Sequence, residues 1–357
     1  MVASDRWSSG MEYAVPQLPQ ILELGAKIRL HESFVLRQPG GKRADLRFVT
    51  WPSKKFANRR LDGIELSGAD LSGVNFSGTC FDESSLNCSN LSRADFTGCS
   101  IRRADLRGAR LAGAIFDRAN LEGADFRQAT IAFFDKDGRW NNIGGQQQDG
   151  TVSFANCSLK GARLDNANLK DANFENAILT NASFAGASLG NARFDGAVLL
   201  GVKLAELRVG GDRLKSCVLD PGPEAWNKLP ELVARLEESE LWVKSGSRRG
   251  KVASFHGEDI RLLASKMRNR KLTGINLTTC LAVGVDLSGC ELQGANFDGA
   301  DLRDANFAGA DVRGASFRGA NLAHAKCFPA DSSPLLLNDG SLIETAYDGA
   351  NLEGLRV

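Results

Sequence analysis

The sequence predicts an all-β solenoid, because one apolar pattern recurs along most of the chain with an unusual period. Between Leu61 and Ile131 a bulky apolar residue stands at every fifth position, usually with a small residue two places earlier. A helix repeats about every 3.6 residues and a strand every two, so neither keeps every fifth side chain on one side. The backbone must therefore turn a corner every five residues, and four corners close a square circuit.

The phenylalanines test this closure, because stacked circuits place residues one full circuit apart in the same column. Phe56, Phe76, Phe96 and Phe116 are 20 residues apart. Stacking at the strand separation of about 4.8 Å lets each circuit hydrogen-bond to the next, while Leu, Phe and Ala fill the axis. The spacing recurs in two later tracts, at Phe154, Phe174 and Phe194 and at Phe297 and Phe317.

The repeat has the form A(D/N)LXX, which resembles the pattern of the pentapeptide-repeat family. The resemblance implies a right-handed quadrilateral β-helix, and a structural or binding protein rather than an enzyme. Some members of this family resemble B-form DNA in shape and charge and inhibit or protect DNA gyrase. Examples of the repeat are Ala69-Asp70-Leu71, Ala94-Asp95-Phe96, Ala167-Asn168-Leu169, Ala300-Asp301-Leu302 and Ala320-Asn321-Leu322.

The pattern divides the chain into four predicted parts. Residues 1–45 are expected to form an N-terminal helical cap and lead-in, and 46–222 a first pentapeptide-repeat β-helix. Residues 223–254 are expected to be a helical linker or cap, and 255–357 a second β-helix with a C-terminal cap. Ile131 and Phe154 are 23 residues apart, which is one pentapeptide plus the 18 residues 132–149. A loop formed by these 18 residues should therefore leave the register intact.

The two halves repeat one plan. Residues 29–33 match 235–239, and residues 56–66 match 267–277. Each half then consists of a helical entry, a basic lead-in and a coil, and the helices would cover open strand edges that otherwise template association.

Composition argues against several functional classes. The 44 Lys and Arg residues balance 43 Asp and Glu, so there is no overall field for nucleic acid or an anionic membrane. No apolar run approaches the length of a membrane span, and the N-terminus lacks the features of a signal peptide. We expect a cytoplasmic protein without a membrane span, either a monomer or a dimer.

Enzyme chemistry lacks its usual motifs in this sequence. No GxSxG, P-loop, dinucleotide-binding, HExxH or kinase signature is present, and the 8 cysteines and 3 histidines form no cluster at zinc spacing. We expect no catalytic residue, metal, cofactor or small-molecule substrate. Most cysteines occupy inward repeat slots and should be reduced packing residues, and His324, in an outward slot, should be solvated or capping.

The predicted loop at 132–149 is one candidate site for a macromolecular partner. It places Phe133, Phe134, Arg139 and Trp140 outside the repeat. These side chains either contact a protein partner or fold back over the flank of the coil.

An outward column at positions 65, 85, 105 and 125 is the other candidate site, because Glu65, Asp105 and Asp125 would make one face locally acidic. A continuous negative stripe would favour DNA mimicry directed at gyrase, whereas a mixed surface would favour a scaffold for a protein partner of unknown identity. The basic lead-ins are either solvated faces or patches for an acidic protein, lipid headgroups or nucleic acid.

Overall fold

The computed structural model describes residues 18–51, 55–130, 150–328 and 330–355. The recurrent contact is a single parallel β-bridge between residues 20 apart, such as Glu65 with Ser85. The backbone therefore returns beside its starting point after four pentapeptides. The named elements are α1 (Leu18–Val35), α2 (Leu204–Leu207), α3 (Pro223–Trp226), α4 (Leu229–Lys244), α5 (Ala264–Met267), β1 (Leu335–Leu336) and β2 (Leu342–Ile343), with 3₁₀ turns at Gly211–Leu214 and Arg261–Leu263.

The first stack, residues 44–219, has a core in which phenylalanine rings pile up along one column. Phe96 is fully buried and stacks between Phe76, at a ring-centroid distance of 5.3 Å, and Phe116, at 4.9 Å. These separations match the spacing of hydrogen-bonded strands, so the ring column and the backbone ladder have the same rise per circuit.

The register continues across the segment 132–149, as the spacing predicts. Ile115 bridges Ser153, and the rings of Phe116 and Phe154 stack at 5.2 Å. The circuit that contains this segment is longer than the other circuits of the first stack by the length of the segment, while the inward column is uninterrupted.

The second stack, residues 253–355, has a core of its own, which extends from Ala253 to Ala325 and includes Leu232 and Leu236 of α4. Its last described circuit is lengthened by the antiparallel hairpin β1–β2. A Cβ atom at Gly314 would lie 2.9 Å from Leu335, which places the hairpin against the flank of the stack. The C-terminal cap expected at the end of the second β-helix stays a prediction.

Helix α1 closes the first end of the first stack. Ile28 packs into the core, and the buried His31 joins two circuits. The backbone N–H of Ala44 donates to Nδ1 of His31 at 3.1 Å, so Nε2 carries the proton and donates to the carbonyl of Asp62 at 3.1 Å. This pair of bonds requires a neutral imidazole.

Helix α4 closes the second stack in the same way. Ser239 is buried like His31, and its hydroxyl accepts a hydrogen bond from Ala253 N–H at 3.1 Å. The Glu240–Arg270 ion pair at 2.6 Å likewise corresponds to Glu32–Arg59 at 3.2 Å.

The sequence alignment of the two helices is wrong by two residues. It pairs His31 with Glu237, whereas the contacts pair His31 with Ser239. Short charged motifs determined the alignment, but burial of one helix face determines the packing. The alignment of residues 56–66 with 267–277 does agree with the contacts, since Arg59 and Arg270 hold equivalent ion pairs.

Acidification should destabilise the first stack through His31. Burial lowers the pKa of His31 from its ordinary 6.5, so the unfolded chain binds a proton more readily than the folded one. The contribution of neutral His31 to the free energy of unfolding is therefore fully present above about pH 6.5 and is lost as the pH drops below it. Urea midpoints between pH 8 and pH 5 should decline in this window for the native chain and decline less for His31→Gln. Equal slopes for the two proteins would contradict the assignment.

The second stack folds back along the first. As residue numbers rise in the second stack, those of the contacting residues in the first stack fall, so the two stacks run side by side in opposite directions. The contacts are Arg261 Nη1 to Leu219 O at 2.7 Å, Arg303 Nη1 to Gly196 O at 2.6 Å, His324 Nε2 to Asn156 O at 2.6 Å and Arg118 Nε to Glu353 Oε1 at 3.7 Å.

Apolar residues occupy outward slots at the centre of this contact. Ile178 and Val198 from the first stack and Val283 from the second form a small buried cluster. Near it, Lys160 donates to the buried Asp304 at 2.6 Å. Outward residues are normally solvated in this repeat, and these are buried because the other stack covers them.

The expectation of a solvated or capping role for His324 is wrong. The side chain is 2% exposed between the stacks, because its outward slot faces the first stack rather than water.

Candidate interaction surfaces

Positions 65, 85, 105 and 125 lie in one column of the first stack. β-Bridges join Glu65 to Ser85, Ser85 to Asp105 and Asp105 to Asp125. The next member is Arg163, which bridges Asp125. The structure thus brings the three predicted acidic residues onto one face, as side chains of successive circuits.

Arginines pair with two of the three acidic residues in this column, whereas Glu65 accepts hydrogen bonds from Ser67. Asp105 accepts from Nε of Arg107 at 2.8 Å and from Nη2 at 2.6 Å. Asp125 is held by Arg127 in the same two-bond arrangement, at 2.9 and 2.6 Å. The geometry follows from the repeat, because residues immediately before and after an inward side chain both point outward and lie next to each other.

The same contacts lower the pKa of both carboxyl groups. Partial burial would raise the pKa of Asp105, but the hydrogen bonds from Arg107 outweigh it, and Arg127 has the same effect on Asp125. Both carboxylates are charged at neutral pH and each is paired with a guanidinium. The described column therefore carries no continuous negative stripe.

The other predicted site residues, Phe133, Phe134, Arg139 and Trp140, lie outside the described residues. The residues on either side of that segment are held firmly in the stack, since Thr130 bridges Asn168 and Ser153 bridges Asn173. Ile115, an apolar residue in an outward slot beside Ser153, is 40% exposed.

A cluster of Asp62, Cys80 and Asp82 lies on the first circuits, with one polar atom of each within 4.8 Å of the others. Cys80 donates to Asp62 at 2.6 Å, and burial together with this bond raises the pKa of the Cys80 thiol to about 12. Arg60 pairs with Asp62 and Arg102 with Asp82. A protonated thiol between two paired carboxylates is a structural arrangement, and we assign no metal to it.

The inward cysteines are packing residues. All eight cysteines are free thiols. Cys99 donates to the carbonyl of Phe76 at 3.0 Å, and burial raises its pKa to about 12. Cys290 donates to Met267 at 2.9 Å, with a pKa of about 11. Thiols with such pKa values are protonated at neutral pH and are poor nucleophiles and metal ligands.

An open groove of about 680 Å³ lies where the first stack ends, between Ser188 and Arg208. Its charged residues include Arg213 and Asp212, and Asp212 pairs with Lys215 at 2.6 Å. No helix in the described ranges has the length and apolar character needed to cross a bilayer.

Sequence reasoning missed the contact between the stacks. The sequence contained a signal for this contact. Ile178, Val198 and Val218 are apolar residues in outward slots one circuit apart, and they lie opposite Leu281 and Val283. The repeat otherwise prefers polar residues there.

Comparisons with solved structures give pentapeptide-repeat proteins at low similarity. HetL from the cyanobacterium Nostoc sp. strain PCC 7120, involved in heterocyst differentiation regulation, is 20% identical, with 90% of this chain and 92% of that chain covered and a TM-score of 0.20. QnrB1, a plasmid-mediated fluoroquinolone resistance protein, is 21% identical, with 54% and 98% covered and a TM-score of 0.29. Rfr23 from the cyanobacterium Cyanothece 51142 is 21% identical, with 42% and 86% covered and a TM-score of 0.15. We draw no functional conclusion from similarities at this level.

The repeat region matches known family models, although no curated protein matches the chain significantly. A family model described as pentapeptide repeats matches residues 55–87, 89–128, 271–307 and 300–327, and a second model with that description matches residues 149–202. These segments cover more than half of the chain and coincide with the bridged circuits, and the chain therefore belongs to the pentapeptide-repeat family.

Proposed function

We propose that the protein is a non-enzymatic scaffold that binds a protein partner through its stack faces and the segment 132–149. The observation that supports this most is the pairing of charges on the outward faces, as in Asp105 with Arg107. Such a face presents fixed hydrogen-bonding groups of both signs in a regular array. Extended arrays of this kind serve repeat proteins as binding surfaces.

We also propose that both stacks are right-handed quadrilateral β-helices. The chain is then divided into an N-terminal cap and lead-in at 1–45, a first β-helix at 46–222, a helical linker at 223–254 and a second β-helix at 255–357. Bridges between residues 20 apart support four pentapeptides per circuit. A cytoplasmic location fits the unpaired cysteines, because reducing compartments keep thiols free.

In a four-sided circuit, Thr130, the last described residue before the segment 132–149, shares a face with Asn168, to which it is bridged. Ile178 belongs to the contact between the stacks. These two faces are opposite sides of a square.

Deleting residues 132–149 should abolish partner binding without unfolding the protein, because Ser153 would continue the column of Ile115 at normal spacing. The paired measurement is circular-dichroism melting and affinity capture from native lysate with mass spectrometry. The matched control keeps the length and replaces Phe133, Phe134 and Trp140 with alanine; it should lose the same captured protein. A folded deletion that still captures it would refute a recognition role, and an unfolded one would show that the segment seals the stack.

Modulation of DNA gyrase was the alternative raised by the sequence. The arginine pairs on Asp105 and Asp125 weigh against DNA mimicry, since a mimic needs unpaired negative charge. We expect no effect of the purified protein on gyrase supercoiling at low salt, and inhibition or protection there would support the alternative.

A further inference from the structure

The backbone hydrogen-bond ladder of the first stack stops on one side of its last circuit. On that side, the circuit below is fully bonded to the last one. The N–H groups of Leu169 and Asp171 donate to the carbonyls of Ser188 and Gly190, at 2.8 and 2.7 Å. The N–H of Ser188 donates in turn to the carbonyl of Ala167 at 2.9 Å. These three bonds are the pattern that joins one circuit to the next.

The upper edge of the same side, residues 187–191, is open. The carbonyl of Ala187 and the N–H groups of Leu189 and Asn191 make no hydrogen bond within the described residues. On another side of this circuit the ladder continues, since Leu199 N–H donates to Val218 O at 2.8 Å. A strand edge with free donors and a free acceptor is able to pair with a further strand.

A groove follows this edge because the chain leaves the ladder after Val202. Leu207 and Leu214, 1 and 9% exposed, turn into the core and cover the inward column but not the edge. The groove, of about 680 Å³, lies between residues 186–191 on one wall and residues 207–213 on the other. Gly190 and Gly210 line it, and a Cβ atom at Gly210 would meet nothing within 4 Å. An incoming backbone therefore has room beside the edge.

The groove carries positive charge that has no counter-charge. Arg208 makes no ion pair in the described part of the chain, and Arg213 donates only a long hydrogen bond to Asn191, at 3.5 Å. Asp212 also lines the groove, but it is already paired with Lys215 at 2.6 Å. The two arginines therefore favour a ligand with negative charge.

We infer that this groove binds an extended, acidic segment of a partner protein, which adds to the edge 187–191 as a parallel strand. The segment would repeat the bonds of the circuit below, with one N–H donating to Ala187 and two carbonyls accepting from Leu189 and Asn191. Its carboxylates would pair with Arg208 and Arg213.

A strand suits this edge better than a free anion does. An anion would accept from Leu189 and Asn191 but would leave the carbonyl of Ala187 unpaired, whereas a strand pairs with all three groups. The inference concerns the end of the stack, and it holds whether or not the segment 132–149 binds a partner.

Selection of peptides from a random library displayed on phage tests the inference on the full native chain. Enriched peptides should be rich in Asp and Glu and poor in Pro, and fluorescence anisotropy of synthetic copies gives their Kd. Arg208→Glu with Arg213→Glu should weaken binding at least about tenfold, as should Gly190→Leu, which fills the groove. A Cβ atom at Gly190 would meet only Lys170 Cγ, at an ordinary 3.6 Å, so the stack should accept this side chain.

The control Lys55→Glu with Arg110→Glu makes the same change in charge at exposed positions away from the groove and should leave the Kd unchanged. Methylation of the peptide nitrogens one at a time should weaken binding at least about tenfold at the position whose N–H bonds Ala187.

The inference is overturned if no peptide is enriched, or if the enriched peptides bind both groove variants as tightly as the native chain. It is also overturned if methylation is tolerated at every position, which would mean a site for anions alone. A native dimer that Gly190→Leu dissociates would overturn it as well, because a second copy would then occupy the edge.

Discussion

Replacing Phe96 with aspartate should destabilise the protein by at least about 5 kcal/mol, the larger of two structural effects we expect. Phe96 is fully buried and its ring stacks between those of Phe76 and Phe116. The substitution removes both ring contacts and places a carboxylate where the described core offers it no cation. Urea and thermal denaturation of the purified variant measure the loss.

The matched control is Asp95→Ala, one residue away but outward. The Asp95 carboxylate accepts from Thr97 N–H at 2.9 Å and from Asn75 at 3.2 Å, so its loss should cost about 1 kcal/mol. If Asp95→Ala proved the more damaging change, the assignment of inward and outward positions would be wrong.

Replacing Val198 with aspartate should separate the two stacks and leave each folded. Val198 is fully buried against the second stack, so a carboxylate there would be unpaired and desolvated, at a cost on the order of 3 kcal/mol. Aspartate is a normal residue of this outward slot elsewhere in the repeat, as at Asp95, so the circuit itself should tolerate it. The stacks have separate cores, so neither core is breached.

Small-angle scattering should show a larger radius of gyration for Val198→Asp, and limited proteolysis should cut between residues 203 and 253. Ser188→Asp is the control, since it makes the same charge in an exposed outward slot of another face. A Val198→Asp protein as compact and protease-resistant as Ser188→Asp would mean that the apolar cluster does not hold the stacks together.

The inward column was predictable because its determinants are local. A five-residue period fixes which side chains point inward, and a 20-residue spacing fixes which ones stack, as Phe96 on Phe116 shows. The segment 132–149 could be placed because the spacing resumes after it in step with the column of Phe116. The helices before each stack were expected to cover the open strand ends.

The negative charge of the acidic face was overestimated from the sequence, because only one column of outward residues was considered. Glu65, Asp105 and Asp125 do share a column, but the neighbouring column supplies Arg107 and Arg127. Charge on a strand surface depends on pairs two residues apart, so a single column overstates it. The spacing that brings Asp105 beside Arg107 is visible in the sequence once the strand geometry is applied.

The sequence by itself determined the repeat, its inward residues and the membership in the family, because a solenoid depends on contacts at one fixed separation along the chain. Only the tertiary structure decided that the second stack folds back on the first, burying His324 and Val198. It also decided that Ser239, rather than Glu237, holds the place of His31. These features depend on contacts between distant segments, where no period relates the partners and the burial of complementary faces selects them.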